Sequence, residues 1–324
     1  MDEEECVYLY GDMKPVRTPT DAQVPCPISG CGVHVPRQVG HFRRDDAYLC
    51  PDHTIYISPT TYDHRDPQDN LLRPDDDWPL IQALSQTKRE TGRLGRERSE
   101  DTVTLNVFRG LERLGLLEEY LSRLAGEPVS SPRLMFWSYC PDHGKCWPQL
   151  MGAREEFERN PAHGSEPDLM VESDDHLFFV ETKLGSENVT EPSNLAVLPK
   201  YESGGEGWYE RVFRASARSL ASGERLYELM RFWLLGSWIA QKLEKKFLLV
   251  VITRREANHD YADRFRGGIR QEADRRFVPG HWEDIPSWVS LESNPEPEAA
   301  ELWRYLCEKT LGYRGDVLQR AFSV

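Results

Sequence analysis

The stretch Asp168-Leu169-Met170-Val171-Glu172-Ser173-Asp174-Asp175-His176-Leu177-Phe178-Phe179-Val180-Glu181-Thr182-Lys183 carries the strongest local signal in the chain. Two apolar runs are joined by the polar, turn-prone residues 173–176, the pattern of an antiparallel hairpin. Pairing centred on that turn brings Asp168, at the start of the first strand, opposite Glu181 or its neighbour. Glu181 and Lys183 are two positions apart on a strand, so their side chains share a face, with Phe179 before them on the same face. The second strand therefore runs out of a core and ends at a polar site. Two carboxylates and an ammonium converge there.

Converging carboxylates repel, and a divalent cation is the usual means of keeping both ionised. Two protein oxygens completed by water and a substrate phosphate suit magnesium. Lys183 is placed to orient a water or to steady charge developing on a scissile phosphate. These are the parts for metal-assisted phosphodiester hydrolysis. Asp174 and Asp175 are read as turn formers.

Outward from the hairpin, Ser99-Glu100-Asp101 precedes a stripe of Val103, Val107, Phe108, Leu111, Leu114 and Leu117. A Ser cap with acids in the first turn predicts a helix over 99–120. Leu134 to Trp137 reads as a short strand. Helices are predicted over 208–220 and 223–245, and Phe247 to Thr253 as a strand covered on both faces. The arginine-rich 254–276 segment reads as helical. The tail, with Trp282, Trp288, Trp303, Tyr305, Tyr313 and Phe322, reads as a packed helical end.

Pro167-Asp168 followed by Glu181-Thr182-Lys183, on a hairpin preceded by a capped helix, resembles the PD-(D/E)XK nuclease superfamily. The resemblance covers roughly residues 97 to 255. It implies an α/β, restriction-endonuclease-like core, a central mixed sheet flanked by helices. It also implies catalytic Mg²⁺, or Mn²⁺ in its place, held by Asp168, Glu181 and the carbonyl of Thr182. Lys183 would be the catalytic lysine. Many members add an acid from the preceding helix; Glu100 is the candidate, with Asp101 and Glu112 as rivals. The competing reading is a surface hairpin whose Glu181 and Lys183 form an exposed ion pair contributing little.

The N-terminal block carries a second signal. Cys26 and Cys31 in CPISGC, then Cys50 and His53 in CPDH, form two short knuckles separated by a loop. Four such ligands suit a closed, structural tetrahedral Zn²⁺ site. Gly30, Gly32 and the neighbouring prolines permit the tight turns this needs. His34 and His41 are alternatives to His53. Cys140, His143 and Cys146, with His163 as a possible fourth, form a weaker cluster that reads equally as a turn between strands. Cys6 and Cys307 stand alone. The expected division is a zinc module with an acidic linker over 1–80, the linker around Pro59–Trp78, and a nuclease-like domain over 81–324.

Across 324 residues, 40 Lys plus Arg face 54 Asp plus Glu, a formal charge of −14, which argues against a general phosphate binder. Basic residues nevertheless gather at Lys88, Arg89, Arg93, Arg96 and Arg98, then at Arg211, Arg214, Arg218, Arg225 and Arg231, and again between Arg254 and Arg276. Such stripes suit backbone-phosphate contacts, Arg211, Arg214 and Arg218 as one helical row. The expectation is a basic groove around residues 168–183 on an acidic body. The longest apolar run, Phe247 to Ile252, is too short to cross a bilayer. With no signal peptide at Met1-Asp2-Glu3-Glu4-Glu5, a reducing cytoplasm is expected.

The combined expectation is a cytoplasmic, Mg²⁺-dependent endonuclease acting on DNA, without a membrane partner. It is compatible with a homodimer or a partner subunit. A role in restriction or phage defence is fold-level analogy. The alternative is a non-catalytic nucleic-acid-binding or scaffold protein in which the hairpin is vestigial.

Overall fold

The computed structural model describes residues 23–85, 94–286, 289, 297–314 and 317–323. Cys6, Lys88, Arg89, Arg93 and Trp288 lie outside the described residues. The chain divides after residue 65 into two compact units, the first completed by residues 312–319.

The first unit is built from short strands. Strands β1 (Gln23–Pro25) and β2 (His34–Pro36) pair antiparallel, and β3 (Leu49–Cys50), β4 (Ile55–Ile57) and β5 (Tyr62–His64) form a second small sheet. Among the described residues its core is Val24, Cys26, Val35, Cys50, Ile55 and Ile57. So small a core calls for a staple. Tyr313 joins this unit, its N–H donating to Thr60 O at 2.8 Å.

The residues 59–78, expected as a linker, are structured in part. Helix α1 (Pro74–Ser85) starts inside them, and Ile81 and Leu84 are buried in the second unit's core. Asp75, Asp76 and Asp77 of this stretch occupy the first turn of α1, where acids complement the helix dipole. Asp77 is fully buried there, paired with Arg109 at 2.9 Å and with Arg113.

Helix α2 (Glu100–Arg113) begins as the sequence indicates, with Ser99 Oγ accepting from Thr102 N at 3.2 Å. The expected single helix over 99–120 is two. Gly115 adopts φ +67°, and α3 (Leu117–Ala125) starts afresh. A left-handed residue just past the last turn is the common helix stop.

Next come β6 (Arg133–Phe136), the small hairpin β7 (Tyr139–Cys140) and β8 (Lys145–Cys146), and α4 (Pro148–Phe157). The central hairpin follows as β9 (Leu169–Glu172) and β10 (His176–Thr182). Ser173 closes its turn: its N–H donates to His176 O and its Oγ accepts from His176 N. Helices α5 (Leu198–Ser203), α6 (Trp208–Val212) and α7 (Tyr227–Lys242) lead to β11 (Lys246–Thr253). Then α8 (Asp260–Gly268), β12 (Arg275–His281), α9 (Pro297–Glu308) and the strands β13 (Thr310–Arg314) and β14 (Val317–Arg320) complete the chain.

The five-stranded sheet has the order β12-β11-β10-β9-β6. Strands β10, β11 and β12 run parallel, while β9 is antiparallel to both its neighbours. Leu177, Phe179, Leu249 and Val251 pack on one face with α4 to α8, and Phe178, Val180, Leu248, Val250 and Ile252 on the other with α2, α3 and α9. Burial on both sides explains why β10 and β11 are apolar without alternation. Helix α7 lies so close to the sheet at Gly236 that a Cβ would strike the Phe247 ring.

Two expected helices fail. The 254–276 segment is helical only over α8 and then enters β12, a strand hidden by Pro279 and Gly280; an edge position tolerates the missing N–H. The 208–220 segment is interrupted after Val212, where Arg214 N donates instead to Gly268 O at 2.8 Å, and helical structure resumes in a π-helical turn over Ser219–Gly223. The tail is a helix followed by a two-stranded ribbon.

Candidate active site and metal centre

Because β10, β11 and β12 are parallel, their carboxyl ends meet at one edge of the sheet, the edge where α/β proteins place ligands. Leu169 pairs with Val180, which sets Asp168 one step beyond, beside Glu181. Asp168 Oδ2 accepts from both Thr182 N and Thr182 Oγ1 at 2.8 Å. Thr182 Oγ1 also meets Thr104 Oγ1 of α2 at 2.8 Å, and Asp168 O accepts from Trp137 N at 3.2 Å. Lys183 Nζ donates to Glu181 and, at 3.3 Å, to Glu228 Oε2 on α7. Trp282 Nε1 donates to Lys183 O at 3.2 Å, fixing the backbone beneath the ammonium.

The electrostatics are those of a buried acidic cluster. Burial pushes the Asp168 carboxyl up to about 6; Lys183 opposes this and Asp101 adds to it. Burial and then the neighbouring Asp168 raise Glu181 well above the usual carboxylate range, with Glu228 contributing. For Lys183 burial disfavours the ammonium, but Glu181, Glu228 and Asp168 outweigh it and hold the pKa above its ordinary value. Three carboxylates around one ammonium leave excess negative charge, which a cation relieves.

The upstream acids separate into different roles. Glu100 Oε1 accepts from the N–H groups of Leu184 (2.7 Å), Gly185 (3.2 Å) and Ser186 (3.3 Å) and from Ser186 Oγ (2.8 Å). It anchors the loop leaving β10. Asp101 is the helix acid whose charge acts on Asp168, and its Oδ1 accepts from Trp137 Nε1 at 2.6 Å. Glu112 pairs with Arg109. Sequence reading missed Glu228. The available signal was an acid in the first turn of the long helix between two parallel strands, which must start at their carboxyl edge.

The basic segments are largely committed elsewhere. Arg255 pairs with Asp284, Arg264 with Glu224, Arg266 with Asp263 and Arg275 with Glu272, while Arg276 donates to carbonyls of α3. Arg211, Arg214 and Arg218 do not share one helix, so the expected row does not form. The rim near Lys183 is nevertheless mixed rather than uniformly acidic. Arg254 Nε donates to Leu184 O at 2.7 Å, and the Arg98 guanidinium lies where a Cβ on Gly185 would sit.

In the first unit, the ligand atoms of Cys26, Cys31, Cys50 and His53 all lie within 4.8 Å of one another. Cys26 Sγ to His53 Nδ1 is 3.6 Å, Cys50 Sγ to His53 Nδ1 3.7 Å and Cys31 Sγ to Cys50 Sγ 4.0 Å. A tetrahedron with Zn–S bonds of about 2.3 Å has edges of about 3.8 Å, so the set is proportioned for a metal ion such as zinc. Local turns make it so: Cys31 N donates to Ile28 O with Gly30 at φ +81°, and Thr54 N donates to Cys50 O. Burial drives the Cys26 thiol up to about 12, so a cation is what would hold it as a thiolate. His34 Nδ1 meets Gly32 O at 3.3 Å, and neither it nor His41 belongs to the cluster.

Among the described residues no other group of three or more Cys, His, Asp or Glu closes so tightly. Asp168 and Glu181 are held by Thr182 and Lys183 rather than drawn into a cage. Cys140 and Cys146 flank the small β7–β8 hairpin, and Arg154 NH1 approaches Cys146 Sγ at 3.5 Å. The turn reading describes them. No described helix is long and apolar enough to cross a membrane. Compared with protein-family models, curated proteins and solved structures, the chain gives no match.

Proposed function

We propose that the second unit is a metal-dependent phosphodiester hydrolase acting on nucleic acid, with DNA as the substrate, in a reducing cytoplasmic setting. The observation that carries this reading is the convergence of half-buried Asp168 and buried Glu181 with Lys183 at the carboxyl edge of the sheet. The PD-(D/E)XK resemblance of these residues points the same way.

Asp168, Glu181 and the Thr182 carbonyl are the residues that would hold a divalent cation, Mg²⁺ or Mn²⁺. Such a cation, when bound, polarises a phosphoryl oxygen and acidifies a bound water. The remaining work belongs to the chain. Thr182 N–H and Oγ1 orient Asp168, so one carboxylate oxygen is committed before substrate arrives. Lys183, kept as an ammonium by Glu181 and Glu228, donates to the charge that grows on the phosphate as water adds and the ester oxygen leaves. Glu100 holds the loop beyond Lys183 in place. For the first unit we propose a structural Zn²⁺ bound by all four residues of the Cys₃His set.

The test is cleavage of supercoiled plasmid in Mg²⁺ by the full chain, beside Asp168→Ala and Lys183→Ala. Losses of about 10²–10⁴-fold are expected in both. Undiminished cleavage by both variants would show the site to be wrong. Absence of cleavage by the wild-type chain in Mg²⁺ and in Mn²⁺ would favour the non-catalytic binding or scaffold reading.

A further inference from the structure

The acid–lysine centre has a deficit that the residues named so far do not meet. A phosphodiester brings negative charge to three carboxylates, and the one ammonium among them is already engaged by Glu181 and Glu228. A cation only loosely engaged by its internal partners is needed at the rim.

Arg231 has those properties. It follows Glu228 by three positions on α7, so the two side chains are neighbours on one helix face. Its side chain is 20% exposed, and its buried Nε has no hydrogen-bond partner among the described residues. Its nearest carboxylate oxygen, Glu158 Oε1, stands 4.0 Å from NH1 and already accepts from Ser165 N and Oγ. What holds the guanidinium in place is the Tyr227 ring, 4.5 Å beneath it. A planar fork so oriented and so little used is suited to an oxyanion.

Asn188 supplies a second, independent observation. It is 6% exposed, yet among the described residues neither its Oδ1 nor its Nδ2 has a partner. Its loop is pinned at both ends. Glu100 holds residues 184–186, and Thr190 Oγ1 and O accept from Glu228 N and Tyr227 N at 2.8 and 3.1 Å. Asn188 is thus carried between Lys183 and the first turn of α7. A buried polar group left unpaired is costly, and buried polar groups rarely lack partners without reason.

We propose that Arg231, together with Asn188 on the loop between Lys183 and α7, is the phosphate-receiving half of the site, binding non-bridging oxygens of the nucleic-acid strand held against Lys183. This rests on the phosphodiester reading of the same site.

The experiment is equilibrium binding of a short fluorescent DNA duplex to the full chain in Ca²⁺ without Mg²⁺, over a salt series. Arg231→Gln should weaken binding about tenfold and lower the slope of log K against log salt by about one, and Arg231→Lys should restore the slope but only part of the affinity. Asn188→Ala should weaken binding with the slope unchanged. Wild-type affinity and slope in a folded Arg231→Gln chain overturn the assignment, and wild-type affinity in Asn188→Ala removes Asn188 from it. If Arg231→Gln does not fold, Glu158→Gln decides: it frees Arg231 from its one ion pair and should tighten binding, while unchanged or weaker binding overturns the proposal. Arg231-dependent binding without any cleavage in Mg²⁺ would sink hydrolysis and leave this inference standing. Cleavage with an Arg231-independent slope would do the reverse, and no binding by the wild-type chain overturns both.

Discussion

Glu228 Oε2 stands 3.3 Å from Lys183 Nζ, across 45 positions of sequence. The helix and the strand end share this contact because α7 starts where β10 finishes. Lys183 therefore answers to two carboxylates, Glu181 on its own strand and Glu228 on the helix that covers it.

Glu228→Gln should shift the acid limb of the pH–rate profile to lower pH. Glu228 is one of the charges raising Glu181, so its removal eases ionisation of Glu181. The profile of plasmid cleavage, compared with wild type, checks this. An unmoved or upward-shifted limb means Glu181 ionisation does not limit the reaction.

Asp168→Asn should make the metal-free protein more stable at pH 8. Burial raises the folded-state pKa of Asp168 to about 6, above its unfolded value. Its stabilising contribution is then fully present below about pH 4 and is lost as pH rises through about 6. The expected gain is on the order of 1–3 kcal/mol at pH 8, shrinking towards zero below pH 4. Denaturant melts in chelator-free, metal-free buffer measure it. Added Mg²⁺ should raise the wild-type midpoint and leave that of the variant unchanged.

Purified protein should carry about one zinc per chain, and Cys50→Ser should abolish it. Elemental analysis gives the content. Chelation should unfold the first unit, read as new protease cleavage confined to it, since its core is too small to persist alone. Full zinc content in Cys50→Ser would contradict the assignment.

Glu97 and Lys309 form a buried pair at 2.9 Å, and Glu97 Oε1 also accepts from Thr310 N and Oγ1 at 2.9 Å. Glu97→Ala strands the lysine charge and should cost about 3–5 kcal/mol. The double variant Glu97→Ala, Lys309→Met should recover part of that loss. Chemical denaturation of the single and double variants separates the two, and equal losses would mean the cost lies in the Thr310 bonds instead.

What the amino-acid sequence determined by itself was local. The β9–β10 hairpin, its Ser173 turn, the Ser99 cap and the doubly buried β11 rest on periodicity and turn chemistry acting over a few residues. The two cysteine knuckles were legible for the same reason, since each is a tight turn with its own glycine or proline. Tertiary structure alone decided the rest. That Glu100, the candidate upstream acid, accepts from residues 184–186 was invisible along the chain, because the direction of a helix side chain depends on what the helix packs against. Strand β12 went unread, since only a sheet edge makes Pro279 acceptable in a strand. The arginines between 254 and 276 looked like a phosphate-binding stripe until folding gave most of them acceptors, and Glu228 and Arg231 entered the site only through the crossover that brings α7 back to the end of β10. Spacing along the chain sets which side chains share an element; the pairing of distant elements sets which charges face each other.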